Sequence, residues 1–476
     1  MTITHSTDVA VVGGGPGGYA AAFYAADLGL RVALIDADRN PGGVCLYRGC
    51  IPSKALLHAA KVIDEAKHAS ALGIEFGPPK IDIDKLRAWK GAVVDTLTGG
   101  LGQLARQRHI QFIQGRASIV DPRTVSVDTA GGEQRVTFAH GILATGSRPS
   151  GIPGLPDSRR LLDSTTALEI PDVPKSLLVI GGGYIGLELA TVYAALGSRV
   201  TIVEMLPSLL AGADRDLVAP LARRMEQICD AVLLNTKVAG VKEEKNGLRV
   251  TFEGADVKEK ERVFERVLVS VGRRPNSNIP GLEHTQVRLD GRGFIEIDAQ
   301  RRTAEPTLFA IGDVAGEPML AHKASHEGRT AVDVIAGHDV VFEPAAIPAV
   351  VFTDPEIAWC GLTEEQAKRE NRPVEVARFP WAASGRALTL DRPDGVTKLI
   401  LEPGTERVLG VGIAGPGAGE LISEGVLAVE MAAVASDLAL SIHPHPTLSE
   451  TIMESAEVFF GQSTHVYKPK RKKATS

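Results

Sequence analysis

Four cysteines in 476 residues are too few for a disulfide-stapled extracellular scaffold. No run of about 18 uninterrupted apolar residues occurs, so no membrane-crossing helix is expected. A net charge of −6 leaves no basic excess for a polyphosphate backbone, which argues against nucleic-acid binding. The N-terminus lacks the apolar core of a secretion signal. Thr2 to Asp8 is polar, and Val9-Ala10-Val11-Val12 already reads as a strand. The expected location is therefore the reducing cytoplasm, where a disulfide serves chemistry rather than as a staple. What the chain does have is 44% hydrophobic residues over a length that suits about two to four domains.

The first motif opens at once. Asp8 to Val12 reads as a buried strand running into Gly13-Gly14-Gly15-Pro16-Gly17-Gly18, followed by a helix over Tyr19 to Leu28 and a strand over Arg31 to Ile35 that ends in Asp36, 18 residues beyond Gly18. In this pattern Gly13 makes the tight turn, and Gly15 lets a pyrophosphate approach the helix N-terminus. Gly18 allows close helix–strand packing, and Asp36 accepts from a ribose hydroxyl. The pattern recurs. Ser176 to Ile180, Gly181-Gly182-Gly183-Tyr184-Ile185-Gly186, a helix over Leu187 to Leu196 and a strand over Arg199 to Val203 end in Glu204, again 18 residues past the last glycine. Two such units imply two dinucleotide sites. A carboxylate at Glu204 accepts a free 2′-hydroxyl and repels a 2′-phosphate, and Met205-Leu206 bring no arginine, so the second nucleotide reads as NAD. Glu188 is a charge on an otherwise apolar helix and needs a partner.

Two cysteines fall in Gly42-Gly43-Val44-Cys45-Leu46-Tyr47-Arg48-Gly49-Cys50-Ile51-Pro52-Ser53-Lys54. Positions i and i+5 of a regular helix lie roughly 8–9 Å apart, beyond the ~7 Å Cα reach of a disulfide. A bridge needs broken helix geometry, which Gly49 and Pro52 can supply. Pro52 suits the first turn of a helix continuing through Ser53 to His58, with Cys50 near its N-terminus, where a thiolate is favoured. On the residues alone, the pair is either two unpaired buried thiols or a redox dithiol. Zinc lacks Cys or His partners at ligand spacing nearby. Cys229 and Cys360 carry no motif and read as packing residues.

Helical periodicity marks Ala59 to Ala69 and Ile83 to His109, and Ile110 to Val127 reads as antiparallel strand. Strands running into glycine turns close several stretches: Ile142 to Ser147, Val267 to Gly272, and Leu308 to Asp313. From Pro348 the character changes to antiparallel sheet with helices. Near the end, Pro446 is expected to start a helix in Ile442-His443-Pro444-His445-Pro446-Thr447-Leu448-Ser449-Glu450. Glu450, about a turn further on, would reach back to orient His445 as a general base. The tail Lys468-Pro469-Lys470-Arg471-Lys472-Lys473 reads as a solvated basic end.

Gly-Gly-x-Cys-x4-Cys-Ile-Pro-Ser-Lys, both glycine loops, the Thr-Gly-Ser and Gly-Asp turns and His-x-His-Pro-Thr-x-x-Glu stand in the order of the pyridine nucleotide-disulfide oxidoreductases. The chain resembles this family over essentially its whole length, and most closely its dihydrolipoamide dehydrogenase branch. It departs at Val44, where Thr is common, at Tyr47 for Asn and at Pro444 for Ala.

The resemblance implies an α/β fold of two Rossmann-like dinucleotide-binding domains and a C-terminal α+β dimerisation domain. The FAD domain would span 1–150 and 280–347, with the NAD domain inserted at 151–279 and the dimerisation domain with its basic tail at 348–476. It implies a Cys45–Cys50 redox disulfide, a Lys54–Glu188 pair beside the flavin and a catalytic His445–Glu450 pair. FAD contacts would come from Gly13, Gly15, Gly18, Asp36, Lys54, Thr145, Gly146, Ser147, Asp313, Met319, Leu320, Ala321 and His322. NAD contacts would come from Gly181, Gly183, Gly186, Glu188, Glu204 and Gly272, and no metal is implied.

The implied activity is oxidation of protein-bound dihydrolipoamide with reduction of NAD, by a homodimer in which base and disulfide belong to different chains. No lipoyl-type domain is expected ahead of Asp8. The lipoyl group would arrive on a 2-oxo acid dehydrogenase acyltransferase or a glycine cleavage carrier protein. Glutathione reductase-like enzymes would want basic residues at Glu204, and mercuric reductases a C-terminal cysteine pair, whereas nothing after Cys360 is cysteine. A non-catalytic flavin-binding module would leave both thiols and the His445–Glu450 pair idle.

Overall fold

Continuous apolar runs bounded by glycine loops form the centres of two parallel sheets, as strands buried on both faces require. The computed structural model describes residues 3–255 and 257–467, so the basic stretch Lys468 to Lys473 lies outside the described residues. In the first sheet, Ile3–Val12 pairs in parallel with Val32–Asp36 on one side and Gly132–Leu143 on the other. Gln111–Gln114 adds in parallel beside Val32–Asp36, and Leu308–Ala310 beside the end of Gly132–Leu143. The start of Gly132–Leu143 instead joins an antiparallel meander with Thr124–Thr129 and Arg116–Asp121.

The antiparallel expectation for Ile110 to Val127 is thus corrected in its first part. Gln111–Gln114 is too short for its alternation to reveal its neighbour. The long helix Ile83–Gln107 before it is the crossover that returns it in parallel.

The chain leaves the first sheet after Leu143 and re-enters it at Leu308. Between them lies a second parallel sheet, in the order Ala231–Leu233, Arg199–Val203, Ser176–Ile180, Arg266–Val269, Leu161–Leu162. The three-stranded antiparallel sheet Lys237–Glu244, Gly247–Glu253, Glu261–Phe264 packs on it. Both loop helices start earlier than expected, as Pro16–Asp27 and Tyr184–Leu196, because Gly15 and Gly183 serve as their N-caps. A Cβ on Gly18 would sit 1.8 Å from the Gly13 carbonyl oxygen, and one on Gly186 2.3 Å from that of Gly181. Helix and strand approach too closely there for any side chain.

The C-terminal unit is a five-stranded antiparallel sheet in the order Ala349–Val351, Ile357–Gly361, Val408–Ala414, Val396–Leu401, Glu375–Pro380, covered by the helices Ala418–Glu430 and Glu450–Phe460. The last helix starts at Glu450 and not at Pro446. Glu450 takes up the Thr447 N–H, which replaces the first helical turn expected from Pro446.

A charge cluster joins this unit to the second nucleotide unit. Lys398, 1% exposed, sits 2.6 Å from Asp214, 2.8 Å from Asp216 and 2.7 Å from Glu364. Asp214 also accepts the N–H groups of Glu364 (3.0 Å) and Glu365 (3.1 Å). The three carboxylates lie close enough to hold a cation, and the Lys398 ammonium supplies that charge. Lys398→Met leaves the buried Asp214 carboxylate without its counter-ion, which costs about 3–5 kcal/mol for a broken buried pair. The expected result is a clearly lower denaturant midpoint; an unchanged midpoint would refute the clamp.

Candidate active site

The first glycine loop, the cysteine segment and the second loop helix converge on one cleft of about 400 Å³. Gly13, Gly15, Gly18, Asp36, Cys45, Cys50, Lys54, Thr145, Gly146, Ser147, Glu188, Asp313, Met319 and Ala321 all line it. Leu320 and His322 do not. His322 turns its Nε2 to the Pro348 carbonyl at 2.8 Å, so it braces the backbone instead of facing the cleft.

The helix broken at Gly49 brings the two sulfurs together. Gly43–Arg48 forms one short helix, and a new helix, Cys50–His68, begins at Cys50 itself. A Cβ on Gly49 would lie 2.9 Å from the Val44 carbonyl oxygen, so the chain turns back there as only glycine can. No disulfide bond joins the two cysteines in this structure, and their thiols lie near enough to shift each other's ionisation.

The pair is asymmetric. Donating to Cys50, and then burial, push the Cys45 thiol far up. The hydrogen bond received from Cys45, aided by the Lys54 ammonium and opposed by burial and Glu188, draws Cys50 down to about 7. Cys50 is also the first residue of its helix, where N–H dipoles favour an anion. The arrangement singles out Cys50 as the thiolate.

Glu188, 3% exposed, finds the partner its position demanded. Lys54 Nζ donates to its two oxygens at 3.1 and 2.9 Å, and the Phe352 N–H donates at 3.0 Å. The Phe352 ring centroid lies 4.3 Å from Lys54 Nζ, so the ammonium is held by carboxylate and aromatic face together.

The two glycine loops are built alike down to their hydrogen bonds. Gly14 N–H donates to Asp36 Oδ2 at 2.5 Å, and Gly182 N–H to Glu204 Oε2 at 2.7 Å. The second oxygen of each acid accepts from the residue two positions on, Asp38 or Leu206, at 2.8 Å in both cases. Burial pushes the Asp36 carboxyl up, with the Asp38 and Gly14 N–H groups opposing. A Cβ built on Gly15 or on Gly183 meets nothing within 4 Å, so both backbones face open space at a helix start. That is the fit a pyrophosphate needs. Gly181, Gly183, Gly186 and Glu204 belong to this second loop, Gly272 follows the strand Arg266–Val269 beside it, and none of the five lines the dithiol cleft.

His445 Nδ1 lies 2.9 Å from Glu450 Oε1, and Glu450 Oε2 accepts the Thr447 N–H at 2.7 Å. Burial would raise the Glu450 carboxyl, but the Thr447 N–H and the His445 ring outweigh it and hold the group below its usual range. A carboxylate on Nδ1–H leaves Nε2 as the basic nitrogen. His445 is largely exposed and does not line the cleft of its own chain.

Two contributors carried no sequence signal. Phe352 acts through its backbone N–H and its ring. Glu327, fully buried, accepts the Gly312 N–H at 2.6 Å and pairs with Arg301 (2.8 Å) and Lys323 (2.9 Å), bracing the turn that presents Asp313. In sequence, Lys323 and Glu327 look like an ordinary surface pair at i,i+4 spacing.

Comparison with known proteins agrees with this geometry. A family model described as pyridine nucleotide-disulphide oxidoreductase matches residues 7–328, and the dimerisation domain of the same description matches residues 347–456. The chain is 48% identical over 466 residues to a dihydrolipoyl dehydrogenase of Vibrio cholerae, covering 98% of each. It is 46% identical over 460 residues to a dihydrolipoyl dehydrogenase of Geobacillus stearothermophilus, covering 97% of each. Among solved structures, LpdA from Mycobacterium tuberculosis superposes with a TM-score of 0.87 at 26% identity, covering 94% of this chain and 99% of that one. The Cu(II) complex of the flavoprotein disulfide reductase RclA from Escherichia coli gives 0.85 at 26% identity, covering 95% and 99%.

The thiol asymmetry has a direct test. In the reduced protein with its flavin removed, Cys50 should be alkylated by iodoacetamide ahead of Cys45, with a rate that rises through pH of about 7. Lys54→Met removes a cation that lowers the Cys50 pKa, so the midpoint should move to higher pH. Equal reactivity of both thiols, or an unmoved midpoint in the variant, would contradict the assignment.

Proposed function

The chain belongs to the pyridine nucleotide-disulphide oxidoreductase family, and we propose that it is a dihydrolipoyl dehydrogenase using FAD and NAD. The observation that carries this reading is the thiolate-favouring Cys50, set at a helix start beside Lys54 and Glu188 in a dinucleotide cleft. The near-full-length identity to dihydrolipoyl dehydrogenases supports the substrate class. The glycine loops with Asp36 and Glu204 fit the two nucleotides. We assign the FAD domain to 1–150 and 280–347, the NAD domain to 151–279 and the dimerisation domain to 348–476.

In this scheme the protein works as a homodimer. The region matched as a dimerisation domain exposes Leu427, Met431, Leu440 and Ile442, the last 99% exposed, which a second copy would cover. His445 of one copy, its Nδ1–H held on Glu450, takes at Nε2 the proton of a dihydrolipoamide thiol seated at the cleft of the other. The new thiolate attacks Cys45 Sγ of the oxidised pair, the Cys45–Cys50 bond breaks, and Cys50 leaves as the thiolate its surroundings favour. The second lipoamide sulfur then displaces Cys45, which closes the lipoamide disulfide and leaves both cysteines reduced. Bound FAD supplies a two-electron acceptor beside Cys50, and bound NAD the hydride acceptor that regenerates it. Lys54 and Glu188 hold charge and exclude water at that face, and Glu204 receives the free ribose hydroxyls of NAD.

The lipoyl group arrives on a carrier: the lipoyl domain of a 2-oxo acid dehydrogenase acyltransferase, or a glycine cleavage carrier protein. We place the protein in the cytoplasm with such partners. Among the described residues no helix is long and apolar enough to cross a membrane.

His445→Gln keeps the bulk but removes the base. Dihydrolipoamide oxidation should fall on the order of 10²-fold or more, while NADH oxidation by ferricyanide, which needs no thiol base, stays near wild type. Undiminished dihydrolipoamide turnover would place the base elsewhere.

A further inference from the structure

Ser147 and Asp313 line the flavin cleft from the first nucleotide unit, and a residue of the second unit stands behind them. The short strands Ser147–Pro149 and Arg273–Pro275 pair antiparallel and form a ribbon between the two units. Across it, Arg273 Nε–H donates to Ser147 Oγ at 2.7 Å, and Nη2–H to the Ser147 carbonyl oxygen at 2.8 Å. Ser147, 2% exposed, in turn has its Oγ 2.5 Å from Asp313 Oδ2.

The direction of this relay follows from the inventory of protons. A guanidinium donates and never accepts, and a hydroxyl has a single proton. With Nε–H directed at the Ser147 lone pair, the hydroxyl proton is left for Asp313. Positive and negative charge stand at the two ends, so both bonds are charge-assisted. Ser147 engages Oδ2 and no donor among the described residues reaches Oδ1, which remains as an acceptor in the cleft that Arg273 and Asp313 both line.

We propose that Arg273 is a positioning residue for the flavin. Reaching from the NAD unit, it sets the Ser147 hydroxyl, and through it holds Asp313 as an oriented acceptor for the hydroxyl groups of the flavin's polyol chain. The inference rests on the flavin assignment above. It adds that the seating of the second unit helps to hold the flavin of the first.

The test is the rate of flavin release from the purified holoenzyme, followed by the fluorescence of freed flavin. Arg273→Met and Asp313→Asn should each speed release about 10-fold or more, the range of a charge-assisted hydrogen bond. The double variant should release no faster than the faster single, because either change breaks the same relay. Ser147→Ala leaves the Arg273 bond to the carbonyl intact and removes only the hydroxyl. It should release flavin as fast as Arg273→Met, which a role in merely holding the ribbon together would not produce. Multiplying effects in the double variant, or wild-type release from Ser147→Ala, would overturn the proposal. A wild-type preparation without flavin would instead overturn the flavin assignment itself.

Discussion

The Lys54–Glu188 ion pair is the interaction on which the site depends. Lys54 rides on the helix that begins at Cys50, Glu188 on the helix of the second glycine loop, and Phe352 N–H completes the carboxylate from the C-terminal unit. Three parts of the chain, far apart in sequence, therefore meet at one buried carboxylate. A buried charge of this kind is costly unless its partners are in place. Only when all three parts are seated are they in place. The same ammonium helps to draw Cys50 toward the thiolate. Assembly of the fold and preparation of the thiolate are one event.

The two nucleotide units repeat the same solution, glycine turn and acid joined by a backbone N–H, yet they serve different ends. The first carries the dithiol against its own loop, whereas the second lends a helix to the cleft and keeps its own loop separate. The third unit adds the paired His445 and Glu450, but away from the cleft of the same chain. His445 and Glu450 thus stand apart from the dithiol cleft of their own chain, which is why the proposed scheme draws on a second copy.

Much of this was legible in the residues because the features involved are local. The strands Ser176–Ile180 and Arg199–Val203 run between the residues that the apolar pattern marked, and each acid sits where its spacing put it. His445 and Glu450 are five residues apart, so their contact needed no tertiary knowledge. What escaped depends on distant chain. The parallel pairing of Gln111–Gln114 is decided by a crossover helix, and the start of the last helix by the Glu450 carboxylate on Thr447. His322 faces Pro348 because that carbonyl needs a donor, which the sequence near His322 does not contain. Nothing local marks Lys398 or Glu327 as buried, and tertiary structure sets Lys398 among partners as far away in sequence as Asp214.

The central claim is that Cys50, held by Lys54 and Glu188, is the sulfur in electronic contact with the flavin. Anaerobic two-electron reduction of the holoenzyme tests it by the long-wavelength thiolate–flavin absorbance. The account predicts that wild type develops this band on two-electron reduction, that Cys45→Ser, which has no disulfide to reduce, carries it before any reductant is added, and that Cys50→Ser shows it in neither state. A band that persists in Cys50→Ser, or is lost only with Cys45, would contradict it.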